Sequence, residues 1–205
     1  MKRILSFVLA LTLCLSMCAC GSKEPSETPE SAVRSRARTT VDVRNQLKSG
    51  KSVGSNLRIN DVIHDEGTDT YTVVGVATLL DEFGNKSDAN FCGRFSAVYN
   101  KDEKKYDVET HYALYGEEAS VAVKFEEFLP LDLRAYTVVA NIEGSPYLKI
   151  TDLKVNEKSQ KCTVLGVIEF RDGDTVLQSA EYKGVYAYSG SNGNYSFENT
   201  SRDFS

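Results

Sequence analysis

Residues 70–79, TYTVVGVATL, return 91 positions later as residues 161–170, KCTVLGVIEF. In both stretches every second residue is apolar or glycine, which is typical of a strand with one face in the core. The core faces carry Tyr71, Val73, Gly75, Ala77 and Leu79 in the first stretch, and Cys162, Val164, Gly166, Ile168 and Phe170 in the second. We therefore predict two equivalent core strands, one in each of two related units.

The similarity extends beyond these strands. Residues 57–99 align with residues 148–190 without gaps and are identical at 11 of 43 positions. The identities include two pairs of glycines, Gly75/Gly166 and Gly93/Gly184. Self-similarity at a fixed period indicates a duplicated unit, here of about 75 residues, which is near the lower size for a self-sufficient core. We expect the two units to pack together or to share an interface.

Each unit is predicted to contain about four antiparallel strands joined by tight turns. A strand of alternating aromatic residues and glycine carries Phe91, Gly93, Phe95, Ala97 and Tyr99 in the first unit, and Tyr182, Gly184, Tyr186 and Tyr188 in the second. Shorter strands precede at residues 57–63 and 148–155, and aromatic strands follow at 106–108 and 195–197. Asp81, Asn85 and Asp88 would suit a weak Ca²⁺ site, but a hairpin turn explains them better.

A helix is expected before each meander, because a sheet must cover its apolar face. In the second unit the spacing of one helix face is shown by Leu131, Ala135, Val138, Val139 and Ile142. In the first unit a weaker helix over residues 41–48 ends at Gly50, and a one-residue indel aligns residues 41–44 with 131–134. A further short helix would carry Val121, Phe125, Phe128 and Leu129.

The predicted fold class is therefore α+β, with two tandem repeats that each combine a short helix with a four-stranded antiparallel meander. The alternative is a pair of Ig-like β-sandwiches without helices. The helix-plus-meander pattern, with its Phe/Tyr-x-Gly-x-Phe/Tyr strand, resembles the small α+β units found in tandem in Gram-positive envelope proteins. It is also similar to cystatin-like sheets, in which a helix lies on a curved meander.

The chain begins with features of a secretory signal. Lys2 and Arg3 precede a mostly apolar stretch, residues 4–17, which is short for a membrane-spanning helix. The stretch leads into LSMCACGS at residues 15–22, where Cys20 is the cysteine that follows a small residue. This sequence resembles the lipobox of bacterial lipoproteins. The resemblance implies a diacylglyceryl thioether on Cys20 and a protein tethered to the extracytoplasmic face of the cell membrane, whereas a plain signal cut near Ala19 or an uncleaved anchor is the alternative.

These features divide the chain into five segments. They are a signal peptide at 1–19, the lipidated Cys20 with a disordered tether at 20–38, a first unit at 39–115, a connector at 116–130 and a second unit at 131–205. The tether is predicted to be disordered because residues 23–31 contain two prolines and no large apolar residue.

Candidate chemical groups are few. Cys92 is expected to be partly exposed on a polar strand face and Cys162 to be buried, with the two thiols unpaired. His64 and His111 lack a second ligand at a metal-binding spacing, and Cys92 with His111 is the one nucleophile pair that can be named. Four tyrosines near the end are expected in the core in preference to a binding surface: Tyr182, Tyr186, Tyr188 and Tyr195.

Charge and composition narrow the function classes. The formal net charge of −5 gives no electrostatic basis for nucleic-acid binding. No metal, cofactor or catalytic residue is predicted. The sequence therefore favours a non-catalytic envelope lipoprotein that binds a protein, a peptide or a cell-wall partner. A small-ligand carrier or transport accessory lipoprotein is the first alternative, and an enzyme is the second.

Overall fold

The computed structural model describes residues 27–52, 54 and 56–205. Within these residues the chain forms an α+β fold of two helices and two four-stranded antiparallel sheets, which confirms the predicted fold class at this level. The helices are α1 (Pro29–Ser49) and α2 (Glu117–Val139). The strands of sheet 1 are β1 (Leu57–Asp65), β2 (Thr70–Leu80), β3 (Lys86–Asn100) and β4 (Lys105–Tyr115). Those of sheet 2 are β5 (Ser145–Asn156), β6 (Lys161–Asp172), β7 (Thr175–Ser191) and β8 (Asn194–Phe204).

The two sheets share their strand order and most of their register. Sheet 1 has the order β1-β2-β3-β4, and sheet 2 repeats it as β5-β6-β7-β8. A bulge between Ile59 and Asp61 in β1 returns between Ile150 and Asp152 in β5. A second bulge lies in β4, opposite Arg94 and Phe95 of β3, and returns in β8, opposite Val185 and Tyr186 of β7. Bulges are specific departures from ladder pairing, so their return at a spacing of 91 confirms the strand alignment read from the sequence.

The paired glycines have a packing reason. Gly75 lies opposite Ile59 at the first bulge, and a Cβ there would lie closer than 3.0 Å to the backbone oxygen of Arg58. Gly166 stands in the same relation to Lys149. At Gly93 a Cβ would lie 2.9 Å from ring atoms of both Phe91 and Phe95. The Phe/Tyr-x-Gly-x-Phe/Tyr pattern therefore lets two aromatic rings fold over a strand position that has no side chain.

Helix α1 covers the inner face of sheet 1. Thr28 caps it through a reciprocal hydrogen-bond pair with Ser31, and Gly50 ends it with a left-handed φ of 68°. The buried face of α1 contains Val33, Ala37 and Val41, which pack on the apolar face of sheet 1. The prediction of a disordered tether is wrong for residues 29–38, because Ala32, Val33 and Ala37 give this segment its own apolar stripe.

Asn45 completes sheet 1 where β1 stops. The pairing of β1 with β2 ends at Leu57 and Ala77, so the backbone groups of β2 beyond that point need other partners. The fully buried Asn45 side chain donates to the Thr78 carbonyl at 2.9 Å and accepts from the Leu80 amide at 2.9 Å. One side-chain amide thus replaces a missing strand neighbour.

Helix α2 differs from the prediction in extent and in orientation. It is a single helix of 23 residues that contains Pro130 in its interior, so it crosses the predicted boundary between connector and second unit. The stripe of Leu131, Ala135, Val138 and Val139 faces solvent, with Val139 87% exposed. The alignment of residues 41–44 with 131–134 is also wrong, because Val41 is buried and Leu131 is 65% exposed. Buried helix positions instead match at a spacing of 92: Val33/Phe125, Ala37/Leu129, Val41/Leu133 and Asn45/Thr137.

The position of α2 explains this difference. It packs against β3 and β4 of sheet 1 and against β5 and β8 of sheet 2. One continuous core therefore joins Cys92 and Tyr112 of sheet 1 to Phe125 of α2 and Tyr186 of sheet 2. None of the helices in the described ranges has the length and apolar character required to cross a bilayer.

Candidate functional site

A buried polar cluster fastens α2 to the outer face of sheet 1. The Arg94 guanidinium on β3 lies 3.2 Å from Glu126 of α2 and 3.0 Å from Asp65 of β1. Its Nη2 and Nε also donate to Thr70 at 2.7 Å and 3.1 Å. The Arg94 side chain is 7% exposed and that of Glu126 is 13% exposed. A guanidinium so deeply buried requires this complete set of acceptors.

The Glu126 carboxylate collects donors from three positions of the sheet. Besides the contact with Arg94, it accepts from the hydroxyl of Tyr112 and, at 2.7 Å, from that of Thr72. Burial, followed by the negative charge of Glu126, raises the pKa of Tyr112 well above its usual value. Burial alone would lower the pKa of Arg94, but the facing Glu126 reverses the direction, so that the pKa is raised. Arg94 therefore stays charged and the Tyr112 hydroxyl stays protonated at physiological pH.

A second cluster fastens another face of α2 to sheet 2. Asp132 pairs with Arg202 of β8 and accepts from the Tyr186 hydroxyl at 2.9 Å. The Tyr186 hydroxyl is also within 2.7 Å of the Tyr182 hydroxyl, and the Arg202 guanidinium lies 4.7 Å from the centre of the Tyr136 ring. Helix α2 thus presents one carboxylate to each sheet, and each carboxylate holds an arginine and a tyrosine.

A cleft of about 240 Å³ opens between the two units beside the Arg94 cluster. We call it the inter-unit cleft. Its apolar lining comes from α2 and β5 and consists of Leu129, Pro130, Leu133, Pro146, Leu148 and Ile150. Its polar and aromatic lining consists of Asp65, Thr68, Arg94, Glu126, Arg134 and Tyr147. Apolar walls with a few convergent polar groups are the usual composition of a binding site, and domain interfaces are a usual location.

Contacts between sheet 2 and the β1–β2 turn close one side of the cleft. Arg171 of β6 donates to the carbonyl of Gly67 at 2.9 Å, and its guanidinium lies 4.8 Å from the centre of the Tyr147 ring. A Cβ on Gly67 would lie 2.6 Å from that ring, so the turn approaches the ring as closely as glycine permits. Sheet 1, α2 and sheet 2 therefore all contribute to the same cleft.

A wider depression lies between α1 and the β3–β4 edge. Its volume is about 590 Å³, and charged residues such as Arg36, Lys105 and Glu109 line much of it. It follows the open surface of one unit, whereas the inter-unit cleft has walls from both units. We therefore take the inter-unit cleft as the candidate site.

No family model matches this chain, and no curated protein matches it. The site must accordingly be interpreted from its own geometry. Three of its charged residues, Asp65, Arg94 and Glu126, are far apart in the sequence and meet only because α2 lies on the outer face of sheet 1. They give no signal in the sequence, since each follows the pattern of an ordinary outward-facing residue.

The predicted site residues have different outcomes. Cys20, proposed as the lipid attachment site, lies outside the described residues. Cys92 and Cys162 are free thiols, as expected, but Cys92 is fully buried under α2, so its predicted partial exposure was wrong. Burial raises the pKa of both thiols, that of Cys162 to about 12. A buried neutral thiol is a poor nucleophile.

His111 does not combine with Cys92. It occupies the β4 bulge between Thr110 and Tyr112, and Tyr112 takes the position opposite Arg94, next to the Cys92 thiol. Among the described residues no hydrogen bond joins Cys92 to His111, so the nucleophile pair named from the sequence is not assembled.

The tyrosines behave as expected, with Tyr182, Tyr186 and Tyr188 in the core and Tyr195 partly buried against it. Asp81 accepts from the amides of Phe83 and Asn85, which confirms a hairpin turn there.

Protonation of His111 is expected to weaken the fold in mild acid. Burial lowers the pKa of His111 below its usual 6.5, so the unfolded chain binds a proton there before the folded chain does as the pH falls. The stability contributed by the neutral ring is complete above pH 6.5 and is lost as the pH falls through the folded pKa. Urea unfolding at a series of pH values below 6.5 measures this loss. The free energy of unfolding should fall less steeply with decreasing pH in His111→Gln than in the natural protein. The control is His64→Gln, since His64 is partly exposed and paired with Asp69; a profile for His111→Gln that parallels the natural one would contradict the prediction.

Proposed function

We propose that this protein is a lipid-anchored, non-catalytic binding module of the cell envelope, and that its inter-unit cleft receives part of a protein or peptide partner. The observation that carries the proposal is the cleft itself, which has apolar walls from α2 and β5 and a charged end from sheet 1. Such a cleft offers burial for an apolar segment and fixed partners for a polar one. The lipid anchor is inferred from the lipobox-like sequence that ends at Cys20.

The packing of the helices favours a partner that docks from outside over a small ligand carried within one sheet. A carrier of the predicted kind needs an open pocket on the concave face of a sheet. In sheet 1 that space is occupied by Val33, Ala37 and Val41 of α1. In sheet 2 it is occupied by Phe125, which contacts Tyr186 at 4.9 Å between ring centres.

We also propose that the two units are duplicated, cystatin-like meanders with a helix on the inner face. The shared register, the shared bulges and the equivalent glycines support the duplication, and the packing of a helix on the apolar face of each sheet supports the helix-plus-meander arrangement. The burial of Cys92 supports a non-catalytic role, since its thiol is held neutral and out of reach of solvent.

Site-directed photo-crosslinking in cells tests the binding role. A benzophenone amino acid at Tyr147, inside the cleft, is expected to give a discrete adduct with one envelope protein. The matched control is the same amino acid at Phe83, which is 78% exposed in the β2–β3 turn and is not among the residues that line the cleft. Adducts of equal yield at both positions, or none at Tyr147, would contradict the proposal.

Mass spectrometry of the mature protein tests the anchor separately. A first residue at Cys20 bearing a diacylglyceryl group is expected, and Cys20→Ala should release the protein from the membrane fraction. A mature chain that begins elsewhere and carries no lipid would refute the anchor, and the crosslinking result would still decide the binding role.

A further inference from the structure

The C-terminal half of α2 exposes an apolar stripe. Leu131, Val138 and Val139 are 65%, 80% and 87% exposed, and Ala135 lies between them on the same helix face. The stripe lies outside the faces that pack on the two sheets, since Leu133 on those faces is buried. Single exposed apolar side chains are ordinary on a protein surface, whereas a contiguous stripe indicates a contact.

The contacts along α2 give its direction over sheet 1. Near its start, the Ser120 hydroxyl accepts from the Asn90 side chain of β3 at 2.8 Å. Glu126 then meets Arg94, which lies further along β3. The stretch after Glu126 lines the inter-unit cleft beside the β1–β2 turn. Helix α2 therefore runs in the direction of β3, and its exposed stripe follows at the end of sheet 1 that carries the β1–β2 and β3–β4 turns.

The described part of the chain starts at the same end of sheet 1. Glu27 lies in the depression beside Lys105, which follows the β3–β4 turn. The other end of α1 lies at the β2–β3 turn, where Asn45 accepts from the Leu80 amide. We call the end of sheet 1 with the β3–β4 turn, residues 100–105, the tether end. The apolar stripe of α2 is thus at the tether end.

The distance from the tether end to the proposed lipid is limited by chain length. Glu27 is seven residues after Cys20. Consecutive residues advance by at most about 3.6 Å, so seven residues span at most about 25 Å whatever their conformation. A diacylglyceryl group on Cys20 therefore holds the tether end next to the bilayer.

We propose that Val138 and Val139, at the tip of the α2 stripe, insert into the surface of the bilayer that holds Cys20, an inference that rests on the lipid anchor proposed above. An apolar helix face enters about 5–10 Å into the boundary between headgroups and acyl chains. Two valines bind a bilayer weakly by themselves, but the anchor makes the contact intramolecular, and a weak contact then suffices. The anchor attaches the protein and the stripe sets its orientation.

Charge at the tether end favours an apolar contact over an electrostatic one. Residues 101–105 of the β3–β4 turn include three lysines and two acidic residues, whereas residues 65–69 of the β1–β2 turn include three acidic residues and no basic one. Clusters of basic residues attract anionic lipid, and these two turns together have no basic excess. The contact is therefore expected in vesicles of neutral phosphatidylcholine.

Fluorescence of a label at one position tests the contact. Cys92 and Cys162 are buried, so a thiol-reactive fluorophore is directed to an introduced cysteine. The full lipidated chain in phosphatidylcholine vesicles is expected to show, for Val139→Cys, a blue-shifted emission and quenching by spin-labelled lipid. The matched control is Leu47→Cys, because Leu47 is 82% exposed near the end of α1 that lies at the β2–β3 turn. Equal quenching at both positions, or none at Val139, would overturn the proposal.

A surface variant assigns the contact to the two valines. Val138→Ser/Val139→Ser replaces two exposed side chains and should leave the urea midpoint unchanged. A label at Ala140→Cys, on the exposed residue that follows α2, should be quenched in the natural background and lose this quenching in the double variant. The control is Leu47→Ser/Phe83→Ser, which should keep it. Quenching that persists without the valines, or that is lost in the control, contradicts the assignment.

Other occupants of the stripe give different results. A protein partner would shift the emission of the Val139 label in native membranes and leave it unchanged in pure lipid vesicles. A second copy of the chain would shift it in detergent micelles as the protein concentration rises. A requirement for phosphatidylglycerol would indicate an electrostatic contact. Each of these three results overturns the insertion of the valines.

Mass spectrometry of the same preparation separates this inference from the proposed function. Lipid on Cys20 together with no quenching at Val139 would overturn the bilayer contact and leave the anchor intact. A mature chain without lipid on Cys20 would refute the anchor and this inference with it. The photo-crosslinking result at Tyr147 would decide the binding role in either case.

Discussion

Replacing Arg94 with methionine is expected to lower the free energy of unfolding by about 3–5 kcal/mol, because the change leaves the buried carboxylate of Glu126 without its counter-charge. Most of the cost arises at Glu126, because its side chain is only 13% solvent-accessible and its carboxylate cannot be solvated in place of the lost guanidinium. Methionine retains most of the apolar stem of arginine, so the effect reports charge and hydrogen bonding more than lost packing. Urea denaturation of the natural and variant proteins measures it.

A second variant and a control make this test specific. The double variant Arg94→Met/Glu126→Met is expected to recover much of the loss, because an apolar pair of similar volume avoids the cost of a buried lone carboxylate. The control is Arg58→Met, in which an exposed arginine of sheet 1 is replaced. A double variant as unstable as the sum of the two single variants would show that the ion pair is not coupled.

Replacing Gly75 with alanine is expected to cost about 3 kcal/mol, because the added methyl group would meet backbone instead of a movable side chain. A Cβ at Gly75 lies closer than 3.0 Å to the Arg58 carbonyl oxygen, on the strand that bulges across it. Relief would require β1 to move away from β2 and would break the register next to the bulge. Thermal and urea unfolding of Gly75→Ala measure the loss.

The repeat supplies a matched test for this prediction. Gly166→Ala should cost a similar amount, because Gly166 meets the Lys149 carbonyl in the same way. Gly54→Ala is the control, since within the described part of the chain no heavy atom lies within 4 Å of the added methyl group. A Gly75→Ala protein as stable as the Gly54→Ala protein would refute the close approach of β1 and β2.

Strand positions and register were predictable because two copies of one pattern reinforced each other. The recurrence of an apolar residue or glycine at every second position around Val73 and Val164 placed both strands, and the gapless alignment carried the register through the turns. The bulges themselves left no direct signal in the sequence. The glycine opposite each bulge was the visible trace, and its meaning became clear only from the backbone of the neighbouring strand.

The helices were predicted less well, for two physical reasons. Proline usually ends a helix, yet the buried positions Phe125, Leu129 and Leu133 continue through Pro130 at a spacing of four. In addition, α2 contacts a sheet on each of two sides, so its buried residues do not form a single stripe and the exposed Leu131 and Val138 imitate one.

The cleft could not be predicted because its residues look ordinary one at a time. Arg94 alternates with the core residues of β3, which is the pattern of a residue on an outward polar face. That face is covered by a helix from the other unit, which no local pattern reveals. Arg94, Asp65 and Glu126 become a cluster only through tertiary packing, and the packing also turns Cys92 from a half-exposed residue into a fully buried one.

The position of α2 makes the two units differ in what covers the outer face of their sheets. The inner face of each sheet holds its own helix, and the outer face of sheet 1 also receives the helix that serves sheet 2. The outer face of sheet 2 has Lys183 where sheet 1 has Cys92, and Glu181 and Asp203 lie beside it on the surface. A helix packed on this face would bury these charges away from water, which costs free energy unless each charge is paired. The outer face of sheet 2 is therefore unsuited to the apolar helix packing that α2 forms on the outer face of sheet 1.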